Sequence, residues 1–486
     1  MEQLSGQDAM FLHAELDGLP QHIGGVSIYD QSTAPDGMVR FKQILAMLES
    51  RLHLSPIFRR KLATVPMGLG RPYWVEDPDF DLEYHVRHIA LPKPGDWRQL
   101  CILSARLHSQ PLRRDKPLWE MYIIEGLNNI EGIPPNCFAL LLKVHHCAMD
   151  GATGAQFMNI MHDLSPETTH PGKPPPWIVE RPSRARMLGR AYIDAWKKPG
   201  EILDALREAG PAIMRLRRGK EQQDFHELED KQKTRFQGKI SRHRVVEARK
   251  FDFEAIRAIK NTQTGATIND VMLTIVAGGL RKFLHAKNEL PESTLVTGCP
   301  IDVRSPEERM SGGNMVGFMS VALRTEIEDP AQRLAAVHEE SQSAKAYAEA
   351  LGPRVAMDIT NVVPGNVLSI ALRAASATGL TESNVVMNTI VTNVPGAPFQ
   401  LYLCGAELID SFSLGPLLPN AGLFHVVYSA VQNKKGTITL SFTACRDMLP
   451  DPEFYAQCLQ ESYDELHAAT LQGKKRKRRT KTAKSA

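Results

Sequence analysis

The chain has 486 residues, too many for one ordinary domain and enough for two or three with sizeable cores. Its 43% hydrophobic and 23% charged residues match the average for soluble globular chains, which excludes a disordered, collagen-like or disulfide-scaffold protein. The formal net charge of +3 belongs to the C-terminus: Lys474, Lys475, Arg476, Lys477, Arg478, Arg479, Lys481 and Lys484 more than account for the excess of 58 basic over 55 acidic residues, so the body is acidic and predicts no nucleic-acid partner.

No run of about 18 apolar residues occurs, so contact with a membrane is expected only at its surface. The start, Met-Glu-Gln-Leu-Ser-Gly, has neither a basic region nor an apolar stretch, which predicts no secretory signal and a cytoplasmic location. The cysteines at 101, 137, 147, 299, 404, 445 and 458 are odd in number, scattered and without a CxxC pair, a pattern of reduced thiols rather than bridges or zinc ligands.

Residues 1–164 alternate short strand-like and helical runs and read as a mixed lobe of helices and sheet. Residues 165–244 read as a linker, opening on a proline-rich stretch with Pro171, Pro174, Pro175 and Pro176 that forbids helix and central strand. Its middle, about 181–220, carries apolar residues at helical spacing (Met187, Ala191, Trp196, Leu203, Leu206) opposite a basic face, expected to pack on the protein or lie at a membrane surface. The charged stretch Gln222–Gln237 is expected to be a mobile loop. Residues 245–472 read as a second mixed lobe, with a strand at Val245–Phe253, a helix near Phe253–Thr262 and a longer one from about Thr267 to Phe283. Residues 473–486 are expected to form a disordered basic tail, either merely solubilising or attracted to anionic lipid by roughly 1 kcal/mol per basic residue.

The chemistry points to one place. Phe138–Val144 is an apolar, strand-like run that delivers His145 and His146 to a turn, followed by Cys147, Asp150 and Gly151. A histidine fixed at a strand end can take a proton from a hydroxyl and return it, because its unperturbed pKa lies near neutrality. Asp150 can brace the loop or the imidazole, and Gly151 gives the turn conformational freedom. Neighbouring strand side chains face opposite ways, so a metal shared by both histidines is not expected. A Cys147 nucleophile is a lesser alternative, and a purely structural histidine is the default for His145.

His145-His146-x-x-x-Asp150-Gly151 resembles the HHxxxDG signature of the CoA-dependent acyltransferases that include chloramphenicol acetyltransferase and peptide-synthetase condensation domains. Further stretches narrow the resemblance: Leu4-Ser5-x-x-Asp8-x-x-Phe11-Leu12, Phe80-Asp81-Leu82 with His85 to His88, Pro117-Leu118-Trp119-Glu120, Pro174 to Trp177, Asn269-Asp270-Val271 and Thr392-Asn393-Val394-Pro395-Gly396. Over residues 4 to 470 the chain is similar to the bacterial wax ester synthase/acyl-CoA:diacylglycerol acyltransferase family. Thr392 stands where that family usually has Ser, and Ala397 intervenes before Pro398.

The resemblance implies an α/β (α+β) fold of two chloramphenicol-acetyltransferase-like lobes with a substrate tunnel where they meet. It implies His146 as general base on a fatty alcohol or diacylglycerol hydroxyl, acyl-CoA as co-substrate, no permanently bound cofactor and no covalent acyl-enzyme. His145 and Asp150 would hold the loop, Asp150 paired with an arginine for which Arg304 is the candidate. Pro117, Leu118, Trp119, Asn269, Asn393 and Gly396 would border the substrates. Read from the residues alone, Asn269 is a helix N-cap, Trp119 a core aromatic and Asn393–Gly396 a type II turn between strands. Peripheral contact with an anionic membrane or a lipid inclusion is a further expectation. The rivals are a condensation-type acyltransferase with another acceptor and a non-catalytic lipid-inclusion binder.

Overall fold

The computed structural model describes residues 2–15, 18–66, 70–149, 151–172, 183, 185–190, 192–193, 232–302, 316–351 and 385–472. In its first half the chain forms β1 (Glu2–Gln3), α1 (Gly6–Ala14), β2 (His22–Asp30), α2 (Phe41–Arg51), β3 (Arg60–Ala63), β4 (Tyr73–Glu76), α3 (Leu82–His85), β5 (Val86–Ala90), α4 (Trp97–Ser109), β6 (Trp119–Leu127), β7 (Cys137–His145) and α5 (Gly151–Met161). The second half forms β8 (Arg244–Asp252), α6 (Phe253–Lys260), α7 (Ile268–Ala286), β9 (Val296–Asp302), β10 (Val316–Ala322), α8 (Pro330–Leu351), β11 (Thr389–Pro395), β12 (Tyr402–Leu403), β13 (Ala406–Leu414), β14 (Leu423–Gln432), β15 (Lys435–Cys445) and α9 (Pro452–His467).

Two mixed six-stranded sheets organise these elements into two lobes, one in the order β12-β13-β2-β7-β6-β5 and the other β10-β9-β11-β14-β15-β8. A small sheet, β1-β4-β3, lies beside the first. β7 runs between β2 and β6, antiparallel to both. A strand in that position is covered on both faces, which is why it reads as an almost unbroken apolar run. The assignment of 245–472 to a single second lobe needs a correction: β12 and β13 belong to the first sheet, where β13 pairs antiparallel with β2 from Glu407↔Asp30 to Leu414↔Gly24. The edge of β2 would otherwise be open, and the second half of the chain closes it.

Apolar contact welds the lobes. Val26, Ile28, Leu100, Leu107, Leu141 and Phe412 share one buried cluster with Val246 and Ala248 of β8. α4 sits in this seam: its Trp97 donates its indole N–H to Glu247 at 2.5 Å and packs edge-on against Phe412, whose ring centroid is 5.2 Å away.

Local signals set the helix starts. Asp96 caps α4 by accepting the Gln99 N–H at 2.8 Å, and the Gln99 side chain returns the bond. α7 is capped by Thr267, not Asn269: the Thr267 hydroxyl accepts the Asp270 N–H at 3.2 Å, and the Asp270 carboxylate accepts the Thr267 N–H at 2.8 Å. Asp270, three residues after Thr267, returns the bond, whereas Met272 stands three residues after Asn269 and cannot, so Thr267 wins over Asn269.

Two further expectations are corrected. The charged stretch ending at Gln237 is packed at its end, since Phe236 is wholly buried in the second lobe's core and Gln237 donates its side-chain amide to Asn388 O at 2.9 Å. Asn393 to Pro395 lie in strand β11, paired with Val427 to Ser429 of β14, and Gly396 N–H continues the ladder to Ser429 O at 2.7 Å. Gly396 is therefore not half of a turn; a Cβ there would lie 2.4 Å from the Tyr428 ring. In the linker, Met187 packs against Val65 and Tyr73, as a core-facing helix residue should. The proline stretch 174–177, most of 181–220 and the tail 473–486 lie outside the described residues.

Candidate active site

The last residue of β7 and the one after it are held from opposite sides, and the backbone shows it. His145 N–H donates to Leu118 O at 2.9 Å on the β6 side, and His146 N–H donates to Gln21 O at 2.8 Å on the β2 side. Ala148 N–H then closes the turn onto His145 O at 2.9 Å. His145 is buried and His146 half-buried.

The two rings have different tasks. Cys147 N–H points at His145 Nδ1 from 3.1 Å, so that nitrogen is an acceptor and a neutral ring carries its proton on Nε2. Nε2 faces the Glu15 carboxylate at 3.5 Å, at the edge of hydrogen-bonding range. His145 is thus tied into the loop through Nδ1, with Nε2 buried and turned toward Glu15. His146 lies flat against Phe11 of α1, with ring centroids 3.8 Å apart and planes within 5°. That stack fixes the plane of the imidazole.

α1 is built to carry Phe11 there. Ser5 caps it, accepting the Asp8 N–H at 3.0 Å and donating its hydroxyl to the Asp8 carboxylate at 2.6 Å. Leu4, Ala9 and Leu12 pack with Leu118 and Cys147 beneath the histidine turn. The Leu4-Ser5-x-x-Asp8-x-x-Phe11-Leu12 stretch is, physically, a capped helix docked under the catalytic candidate.

An ionisable network supports the turn from inside. Burial would raise the Glu15 carboxyl, but His145 and Arg114, the latter at 2.5 Å, outweigh it and hold the group below its usual range. Lys143 is fully buried on β7; its ammonium meets Leu107 O and Gln110 O at 3.0 Å and Glu120 of β6 at 2.9 Å. Burial pushes Glu120 up, and Lys143, the Tyr122 hydroxyl at 2.7 Å and Arg87 more than reverse it, so this carboxyl titrates low. Behind them, burial and the Lys143 charge push His22 well below the usual histidine range and His108 down to about 3. Both therefore stay neutral at pH 7. Burial pushes the Cys147 thiol well above its usual value, so it supplies no thiolate nucleophile.

The other expected residues divide. Trp119 is enclosed: its N–H donates to Phe58 O at 3.0 Å, and His85 stacks on it at 4.6 Å while donating its Nδ1–H to Trp119 O at 2.8 Å. Its full burial matches the reading of Trp119 as a core aromatic. Leu118, also buried, acts through its carbonyl on His145. Pro117 sets the bend, its carbonyl accepting the Trp119 N–H at 2.9 Å. Asn269, in the first turn of α7, lines a cleft of about 490 Å³ with Thr267, Asp270, Met319, His338 and Lys345. There Asp270 also meets His338 Nδ1 at 2.9 Å. Asn393 is exposed on β11. Gly151 is the first residue of α5. Asp150 and Arg304 lie outside the described residues.

Sequence reasoning missed Glu15, Gln21, His22 and His108. Their partners lie far away in the chain, and nothing local distinguishes them. Phe11 could have been found, since it stands in a recognised stretch. Among the described residues no group of three or more His, Cys, Asp or Glu side chains could hold a metal ion.

Comparison with known proteins places this arrangement. Residues 4–272 match the family described as wax ester synthase/diacylglycerol acyltransferase catalytic domain, and residues 312–467 match the WS/DGAT C-terminal domain. A protein of Mycobacterium tuberculosis (strain CDC 1551 / Oshkosh), named as a candidate diacylglycerol O-acyltransferase, is 33% identical over 470 residues, covering 96% of this chain and 90% of its own. In fold, the chain is similar to the wax ester synthase/diacylglycerol acyltransferase from Marinobacter aquaeolei VT8, with a TM-score of 0.66 and 24% identity over 96% of this chain and 99% of that one. It is also similar to the starter condensation domain of rhizomide synthetase in complex with C8-CoA, with a TM-score of 0.56 and 14% identity over 96% and 94% of the two chains. The two lobes are chloramphenicol-acetyltransferase-like, and the chain belongs to the wax ester synthase/diacylglycerol acyltransferase family of acyltransferases.

Proposed function

We propose that this acyltransferase moves a long-chain acyl group from acyl-CoA to the hydroxyl of a diacylglycerol or a fatty alcohol, with His146 as general base. The observation that carries the reading is the division of labour at the end of β7: buried His145 accepts the Cys147 N–H at Nδ1 and turns Nε2 toward the Glu15 carboxylate, while His146 is half-buried with its plane fixed by Phe11. In this mechanism His146 takes the acceptor's hydroxyl proton as the oxygen attacks the thioester carbonyl. The tetrahedral intermediate collapses, the C–S bond breaks, and the imidazolium returns the proton to the departing CoA thiolate. A positioned general base of this kind contributes about 10²–10⁴ in rate. No acyl-enzyme is required, in keeping with the inert Cys147 thiol.

The substrates would meet where the lobes do, and the Asn269 cleft, in the size range of small-molecule sites, is a candidate for part of that path. The basic tail would add peripheral attraction to anionic lipid. No helix among the described residues is long and apolar enough to cross a membrane.

The test is CoA thiol release from palmitoyl-CoA with hexadecanol, with dipalmitoylglycerol and with no acceptor, each repeated on His146→Ala. Release that needs an acceptor and vanishes in the variant supports the reading, and the ratio of the two acceptors identifies the main product. No release with either acceptor sinks it. For the tail, unchanged binding to anionic vesicles by a chain ending at Gln472 would remove the lipid role.

A further inference from the structure

The segment that holds the His146 backbone belongs to the first lobe by sequence and is gripped by the second. Gln21 O accepts the His146 N–H at 2.8 Å. The Gln21 side chain, wholly buried, donates its amide to Leu417 O at 3.3 Å, in the stretch that follows β13, and to Leu19 O at 3.2 Å. Two residues earlier, Leu19 lies in a buried cluster with Ile240, Ile390, Leu417, Phe424 and Val426 of the second half of the chain. One residue before that, Gly18 O accepts from the Arg244 guanidinium at 2.5 Å. Gly18 takes the left-handed conformation (φ +79°), and a Cβ there would meet Arg242 Cγ at 2.9 Å. Thus each of Gly18, Leu19 and Gln21 is fixed by a residue from beyond position 238.

We infer that Gly18–Gln21 is a strap through which the second lobe sets the position of His146, with Gln21 as its positioning residue. The buried cost of the arrangement argues for a task. Arg244 is largely buried and spends its guanidinium on the carbonyls of Ser241, His243 and Gly18, with no carboxylate within ion-pairing distance among the described residues. Gln21 Oε1 is buried without a hydrogen-bond partner among the described residues. An apolar side chain would cap a strand end at lower cost, since an unsatisfied buried acceptor is unfavourable. What glutamine adds is an N–H bond to Leu417 that ties the carbonyl partner of His146 to the opposite lobe. Acyl transfer needs the base on one lobe and a substrate path shared by both, so a small error in this tie misaligns base and hydroxyl.

The inference rests on His146 as the base, and the experiment separates the two. Gln21→Met keeps the side chain's length and removes the amide; Gln237→Met makes the same exchange at another buried glutamine, bonded to Asn388 O and without a bond to the histidine turn. The readouts are kcat and KM for palmitoyl-CoA per folded molecule, and the melting temperature. The expected result is a kcat about tenfold lower for Gln21→Met with KM within twofold, while Gln237→Met loses comparable melting temperature and keeps kcat. Arg244→Lys, which retains charge but not the fork to Gly18, is expected to lower kcat about threefold in the same sense, and it stands in if Gln21→Met does not fold. Full kcat in both strap variants, or a change confined to KM, overturns the strap. If His146→Ala retains activity, the base reading fails whatever the strap variants do.

Discussion

The end of β7 and the start of β14 both bury histidine against neighbouring strands, and they give it different partners. At β7 the surroundings are ionisable: Glu15 and Arg114 beside His145, and Lys143 with Glu120 one strand inward. At β14, His425 is enclosed by neutral groups, with Thr389 Oγ1 at 3.0 Å, Ile390 O at 3.3 Å and Tyr455 Oη at 2.8 Å. Burial pushes His425 down to about 3, so it is neutral at any physiological pH. A neutral imidazole with every nitrogen occupied is a packing unit. The β7 turn differs: His146 is held by its plane and its backbone, with ionisable groups arranged behind it.

The sharpest way to break this contrast is to delete each histidine. His146→Ala is expected to lower acyl transfer by about 10²–10⁴ while costing less stability than the loss of a fully buried histidine, since its ring is half-buried. His425→Ala should do the reverse, costing about 3–5 kcal/mol as a cavity opens in the second core, with kcat per folded molecule unchanged. Urea melts and CoA-release assays on both variants check it. Loss of turnover in a folded His425→Ala protein would erase the distinction.

The charged network can be tested without touching a histidine. Glu120→Gln leaves the Lys143 ammonium buried with carbonyls alone, and breaking such a pair by removing one partner costs about 3–5 kcal/mol. The melt should show it at neutral pH. Glu15→Gln is milder, because Glu15 is partly solvated; it should loosen His145 and lower kcat about tenfold. Both carboxyls are held below their usual range, so the stability they add is full above about 4.5 and is lost as pH falls through their lower folded values. Either variant should therefore flatten the acid limb of stability measured from pH 5 to 3.

Much of this was legible in the sequence because the signals were local. The apolar run into His145 marked a buried strand, the start of the long helix near Thr267 was readable although its cap was assigned to Asn269, and the family motifs located the turn. What stayed hidden is long-range. An alternating strand such as β13 does not say which sheet it joins, and here it left its own lobe to cover β2. Pro395-Gly396 carried a turn signal that pairing with β14 overrode, Gly396 being required instead by the Tyr428 ring. Trp119 read as a core aromatic from its residue type, but its enclosure by Phe58 and His85 depends on distant segments that no local pattern names.

The smallest expected effect sharpens the comparison from the other side. The bonds around His425 are mutually consistent in one tautomer: Thr389 Oγ donates to Leu423 O at 3.0 Å and so accepts from His425 Nδ1–H, and the Tyr455 hydroxyl donates to Nε2. Thr389→Val conserves shape and removes one hydroxyl, while Nδ1–H keeps Ile390 O, so the loss should be about 1 kcal/mol. The folded pKa of His425 lies below that of the unfolded chain, so its pH term leaves stability full above about 6.5 and lost progressively as pH falls toward 3. Thr389→Val should not move that window, because the ring stays neutral with or without the hydroxyl. Parallel stability curves for the variant and the parent from pH 8 to 5, with equal kcat, would show that this histidine is held for packing. A variant whose curve diverged below pH 6.5 would mean that the hydroxyl had been governing the charge of the ring, and that the second lobe is less neutral than its partners imply.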